Sequence, residues 1–71
     1  MSGRYSLRYW MSDGSVRDIP GRFKSVDSAL CNARFNVGKR DYLSKRPIYY
    51  GAADVREHKG DAVVRVAGRI E

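Results

Sequence analysis

Seventy-one residues, 42% hydrophobic and 31% charged, leave room for a single domain spanning 1–71 and exclude a disordered tail. Fourteen Lys and Arg against eight Asp and Glu give a formal charge of +6, and ten of the fourteen cations are Arg. That balance keeps a small protein soluble, and it also suits a polyanion or an acidic protein surface as partner.

Residues 5–11 alternate: Tyr5, Leu7, Tyr9 and Met11 fall on one side, Arg4, Ser6, Arg8 and Trp10 on the other. This is strand period with strand-favouring aromatics. Asp13-Gly14 is a two-residue hairpin signal that sets Met11 opposite Val16 and Trp10 opposite Arg17, with a second strand over 16–19. Pro20-Gly21 closes it. Ser25 is an N-cap, Asp27 suits the first helical turn, and Val26, Ala29, Leu30, Ala33 and Val37 repeat at helical spacing. A helix is predicted over 26–37, stopped by Gly38, with Lys39 and Arg40 at the negative end of its dipole. Residues 39–47 read as a basic loop and 48–57 as a strand, with Gly51 marking a bulge. A turn at Lys59-Gly60 sets Val55 opposite Val64, Ala53 opposite Val66 and Asp54 opposite Arg65; 67–71 is a tail or an extension of the last strand.

The order β-β-α-β-β predicts an α+β domain, a single antiparallel sheet of about four strands with one helix on one face. The uncovered face then carries Arg4, Arg8, Trp10, Arg17, Arg56 and Arg65. Guanidinium groups around a tryptophan suit phosphates and unpaired bases. The alternative is a solvated face with Trp10 stacked on Arg17. Lys39, Arg40, Lys45 and Arg46, with Tyr42 between the pairs, form a second basic and aromatic set, again open to a solvated reading; Asp41 dilutes its field. Cys31 and Phe35 lie off the core stripe of the helix. Tyr42 and Leu43 are expected to fold back over Phe35; otherwise Phe35 and Cys31 form a protein-facing patch.

One cysteine excludes an internal disulfide framework and points to a reducing cytoplasm. Cys31 with His58 alone cannot make a zinc site, so no metal and no cofactor is expected. No stretch is apolar enough for a membrane span. His58 falls beside the second turn, where a lone histidine is a solvated residue, and no nucleophile, phosphate loop or paired-carboxylate pattern accompanies it. A non-enzymatic protein is expected.

The segments Gly21-Arg22-Phe23-Lys24-Ser25-Val26-Asp27-Ser28-Ala29-Leu30 and Asp54-Val55-Arg56-Glu57-His58-Lys59-Gly60-Asp61-Ala62-Val63-Val64 join hairpin to helix and strand to strand. In this pattern the chain resembles the small α+β anti-defence proteins of phages and mobile elements, anti-CRISPR proteins among them. The likeness is one of class and covers most of the chain. It implies a binding protein that docks on a nucleic-acid-handling complex and blocks it. Phe23-Lys24-Ser25 also resembles the sheet-to-helix joint of AP2-type DNA-binding domains, although two strands precede the helix here rather than three. The partner expected is a protein or nucleoprotein complex with an acidic surface; the alternative is an autonomous DNA- or RNA-binding regulator. Monomer and homodimer both remain open.

Overall fold

The computed structural model describes residues 3–71. Strands β1 (Tyr5–Met11) and β2 (Val16–Asp18) precede helix α1 (Val26–Asn36), and strands β3 (Tyr50–Lys59) and β4 (Ala62–Ile70) follow it. All pairings are antiparallel and give one four-stranded sheet of order β2-β1-β3-β4, with α1 packed against it. The α+β class is as the sequence implied.

α1 begins where Ser25 accepts the Ser28 N–H on its Oγ at 3.1 Å, with Asp27 in the first turn. It ends at Val37, whose N–H reaches the Ala33 carbonyl at 2.9 Å, and Gly38 then takes a positive φ of 90°. Ala29 and Ala33 are fully buried, flanked by half-buried Val26, Leu30 and Val37. Alanine at these two positions brings the helix axis close to the sheet. Gly68 on β4 completes the fit, since a Cβ there would stand 3.4 Å from both Leu30 and Val26. From the sheet come Leu7, Tyr9, Met11, Ala53 and Val55, all buried. Tyr9 meets the ring of Tyr50 edge-on at 4.8 Å, and its hydroxyl accepts from Asn36 Nδ2 at 3.1 Å. Burial raises the Tyr9 phenol above its ordinary range, and the Asn36 bond offsets only part of this.

Both hairpin registers differ from expectation, and in each case the backbone at one residue explains it. In the first, β1 and β2 pair Trp10 with Val16, Tyr9 with Arg17 and Arg8 with Asp18. A two-residue turn would force Asp13 to positive φ. Instead the loop takes three residues, Ser12, Asp13 and Gly14, and only Gly14 is at positive φ, 89°. Met11 N–H donates to the Ser15 carbonyl at 2.8 Å, and Asp13 Oδ1 accepts the Ser15 N–H at 2.9 Å. Sliding β2 by one residue turns each of its side chains to the other face. Val16 and Asp18 therefore move to the uncovered face, and Arg17 to the helix side.

In the second, the turn is Gly60-Asp61 rather than Lys59-Gly60. Gly60 has φ 63° at the first central position, as a II′ turn requires, whereas the expected turn would have strained Lys59. β4 then carries an extra residue at two places, Val64 and Ala67, so Glu57 faces Arg65, Val55 faces Gly68 and Asp54 faces Arg69. Residues 67–70 extend the strand. Gly51 does lie at a bulge, where a Cβ would approach the Trp10 carbonyl oxygen to 2.6 Å. Ile48 and Tyr49 precede β3 and pair instead with the loop: Asp41 N–H donates to Ile48 O at 2.8 Å, and Arg40 bridges Tyr49.

Candidate functional site

The uncovered sheet face holds Arg8, Trp10 and Arg56 as expected, but its charge is largely neutralised. Asp18 accepts from Arg8 Nε at 2.8 Å and Nη2 at 3.1 Å, and from Arg56 Nη1 at 3.4 Å. The Arg8 guanidinium holds the Asp18 carboxyl below its ordinary range. Asp54, nearly buried, accepts from Trp10 Nε1 at 3.2 Å and from Arg69 Nε at 2.7 Å. Burial opposes its ionisation, but the Arg69 and Trp10 bonds outweigh burial and lower its pKa. Around these pairs stand Trp10, Val16, Val63 and Val66, each exposed over roughly half of its surface.

Three of the arginines assigned to this face are elsewhere. Arg17 crosses to the helix side with the register of β2, so it cannot stack on Trp10. Arg65 donates to Glu57 Oε1 at 2.6 Å, and Arg4, just before β1, approaches Glu57 at 4.0 Å. Glu57 shares the face of Val55, so neither cation adds to the uncovered face. Arg69 takes the place expected for Arg65; it stood in a segment that alternation did not resolve as strand.

His58 lies within β3, two residues before the turn, and is half-buried rather than solvated. Its Nε2 stands 2.6 Å from Ser6 Oγ, while Nδ1 is buried without a partner. Burial, then the charges of Arg22 and Arg56, lower its pKa, so the neutral ring is favoured. A serine beside a histidine is half of a nucleophilic arrangement, but the base in such sites is oriented through its other nitrogen. Here that nitrogen has no side-chain partner to orient it among the described residues. No cluster of three or more His, Cys, Asp or Glu occurs among the described residues, and no helix is long and apolar enough to cross a membrane.

The 39–47 loop is built differently. Asp41, only 2% exposed, pairs through Oδ2 with Arg17 and accepts the Leu43 N–H on Oδ1 at 3.1 Å. The Asp41 bond raises the Arg17 pKa further, so this cation is fixed in its charged form. Far from diluting a basic field, Asp41 is turned inward and holds the base of the loop. Ser44 N–H donates to Asp41 O at 3.2 Å, and Ile48 N–H to Arg46 O at 2.8 Å, which closes the tip. Lys39, Arg40, Lys45 and Arg46 are all exposed, and none makes an ion pair among the described residues.

Tyr42 and Leu43 do not fold over the helix. They are 86% and 94% exposed, and Phe35 is 69% exposed. What covers Phe35 in part is Lys39, whose Nζ stands 3.5 Å from the ring centroid, a cation–π contact. Between helix end and loop lies an open groove of about 370 Å³, lined by Phe35, Asn36, Lys39, Arg40, Asp41, Tyr42, Leu43 and Tyr50. Cys31, one turn before Phe35, is also exposed. The structure thus joins two sets that the sequence kept apart, the basic loop and the Phe35 patch. Comparison with family models, with curated proteins and with solved structures finds no match for this chain.

Proposed function

We propose that this chain is a non-enzymatic binding protein. It docks through its 39–46 loop and the adjoining end of α1 on an acidic surface of a nucleic-acid-handling complex, and it inhibits that complex by occupying the surface. One observation carries the reading: four exposed, unpaired cations are interleaved with bare Tyr42 and Leu43 on a loop whose base is fixed by Asp41 and Arg17. Cations at a rim steer association and suppress wrong partners, while aromatic and apolar anchors supply most of the binding energy. The uncovered sheet face is the weaker candidate. Each guanidinium there would have to leave Asp18 or Asp54 to reach a phosphate. The class likeness to phage anti-defence proteins supports the inhibitory role.

The runner-up is autonomous nucleic-acid binding, because the same loop cations can follow a phosphate backbone. Two variants separate the readings. One reverses the loop (K39E, R40E, K45E, R46E), and the other reverses the sheet face (R8E, R56E). Affinity capture of a nucleic-acid-handling complex that the loop variant loses and the face variant keeps supports the proposal. Capture lost only in the face variant refutes it. Tight, steeply salt-dependent binding to oligonucleotides alone, lost in the loop variant, establishes the runner-up.

A further inference from the structure

We infer that the groove between Phe35 and the 42–43 pair receives one large apolar side chain from an acidic protein segment. This rests on the reading that the loop end is the docking surface, and it names what the partner presents. Asn36 and Asp41, two polar residues that line the groove, are already engaged inward. Asn36 Nδ2 is bonded to the Tyr9 hydroxyl at 3.1 Å, and the Asp41 carboxylate is held by Arg17 and the Leu43 N–H. What remains for a ligand is the apolar surface of Phe35, Tyr42, Leu43 and Tyr50, with Lys39 and Arg40 at the margin. At about 370 Å³ and open to solvent, the groove has room for one large side chain.

The margin selects the sign of the flanking charge. No acid of the groove faces outward, so neighbouring Asp or Glu residues on the partner find Lys39 and Arg40 without competition. Lys39 also gates the ring. Its ammonium sits over Phe35 in the free protein, and a carboxylate that draws it away uncovers the aromatic face. Charge recognition and apolar insertion are thereby coupled through one residue. A single-stranded nucleic acid fits less well. Stacking asks for open aromatic faces in succession. Here one face is taken by Lys39, and Leu43, the most exposed residue of the set, is aliphatic and offers no stacking plane.

The test uses three fluorescent probes: a peptide of Asp and Glu around one central Trp, the same peptide with Ser in place of Trp, and oligothymidylate of similar length. Binding is read by anisotropy, and the site by amide shift mapping. The Trp peptide is expected to bind about tenfold or more tighter than the Ser peptide, the gain expected from burying one large apolar side chain. Shifts are expected at Phe35, Lys39, Tyr42 and Leu43. In the Tyr42→Ser, Leu43→Ser double variant the two peptides should bind equally; both residues are solvent-exposed, so the fold is spared. Equal binding of the two peptides to the wild type, still abolished by reversing the loop charges, overturns the groove inference and leaves the docking surface standing. Binding that survives loop reversal, or no peptide binding at low salt, overturns both. Tighter binding of oligothymidylate than of either peptide overturns the inference in favour of nucleic acid.

Discussion

Replacing Asp41 by alanine should cost this domain about 2.5 kcal/mol, for reasons that can be itemised. The carboxylate is buried, and it satisfies both the Arg17 guanidinium and the Leu43 N–H. Removing one partner of a fully buried ion pair costs about 3–5 kcal/mol. The Arg17 side chain, however, remains 36% exposed, so water replaces part of what it loses, and roughly half of that figure is the fair expectation. The Leu43 N–H, which water can reach once the carboxylate is gone, adds about 0.5 kcal/mol. For a chain of this length, whose total stability is about 4–10 kcal/mol, the melting temperature should fall by about 10–20 °C. Asp41→Asn keeps an acceptor for Leu43 and should lie between wild type and Asp41→Ala. The double variant Arg17→Met, Asp41→Ala should recover much of the loss, because no stranded charge remains. Thermal melts of the four proteins by circular dichroism read all of this. A fall of under about 2 °C in Asp41→Ala, or a double variant less stable than Asp41→Ala, would show that the pair does not hold the loop as argued.

Three further outcomes follow from the fold. Leu7→Ala empties a buried site at the centre of β1 and should cost about 2–5 kcal/mol, enough to leave the chain partly unfolded at 37 °C in a denaturant titration. Gly51→Ala places a methyl 2.6 Å from the Trp10 carbonyl oxygen, a backbone atom that cannot rotate away, so hydrogen exchange should accelerate along the β1–β3 ladder ahead of the β3–β4 ladder; equal acceleration of both would contradict a local clash. Stability should fall with acidification in two windows. The His58 pKa is lowered in the fold, so its contribution is complete above the unfolded value near 6.5 and is lost as pH falls through the folded value. Asp18 and Asp54 are also lowered, and their contribution is lost only below about 4. His58→Gln should flatten the first limb alone and Asp54→Asn should diminish the second; unchanged limbs in both variants would refute the assignment.

The helix, its cap and its buried stripe were legible because they depend on local spacing: Ser25, Ala29 and Ala33 do what their positions imply. The existence of both hairpins was legible too, but the allocation of side chains to faces was not. Whether a loop has two residues or three turns on whether Asp13 or Gly14 takes the left-handed conformation, and both choices are written with the same Asp-Gly pair. In β4, Val63-Val64-Arg65-Val66-Ala67-Gly68 does not alternate, so two bulges have no signature, and Arg69 could not be placed against Asp54. Asp41 was the least readable residue. Its partner is Arg17, distant in sequence and on a strand whose face depended on the misread turn.

That single register has consequences beyond bookkeeping of strands. Had Arg17 remained on the uncovered face, Asp41 would keep only the Leu43 N–H and Asp18 would not stand between Arg8 and Arg56. The face would then be a field of bare guanidinium groups, and the loop would lack its anchor. The observed pairing does the reverse. Six arginines, Arg4, Arg8, Arg17, Arg56, Arg65 and Arg69, share four acids, Asp18, Asp41, Asp54 and Glu57. Four of the eight acids are therefore placed on the sheet and at the root of the loop, and the one acid within 39–46, Asp41, is turned inward. A net charge of +6 spread evenly over the surface would give a field with no preferred direction. Four of the eight cations without an ion pair among the described residues stand together at 39–46, beside exposed apolar side chains, and that local excess is directional. Charge reversal on the sheet face should then act on stability, and charge reversal in the loop on association. These two effects are separable because the ion pairs already divide the cations between them.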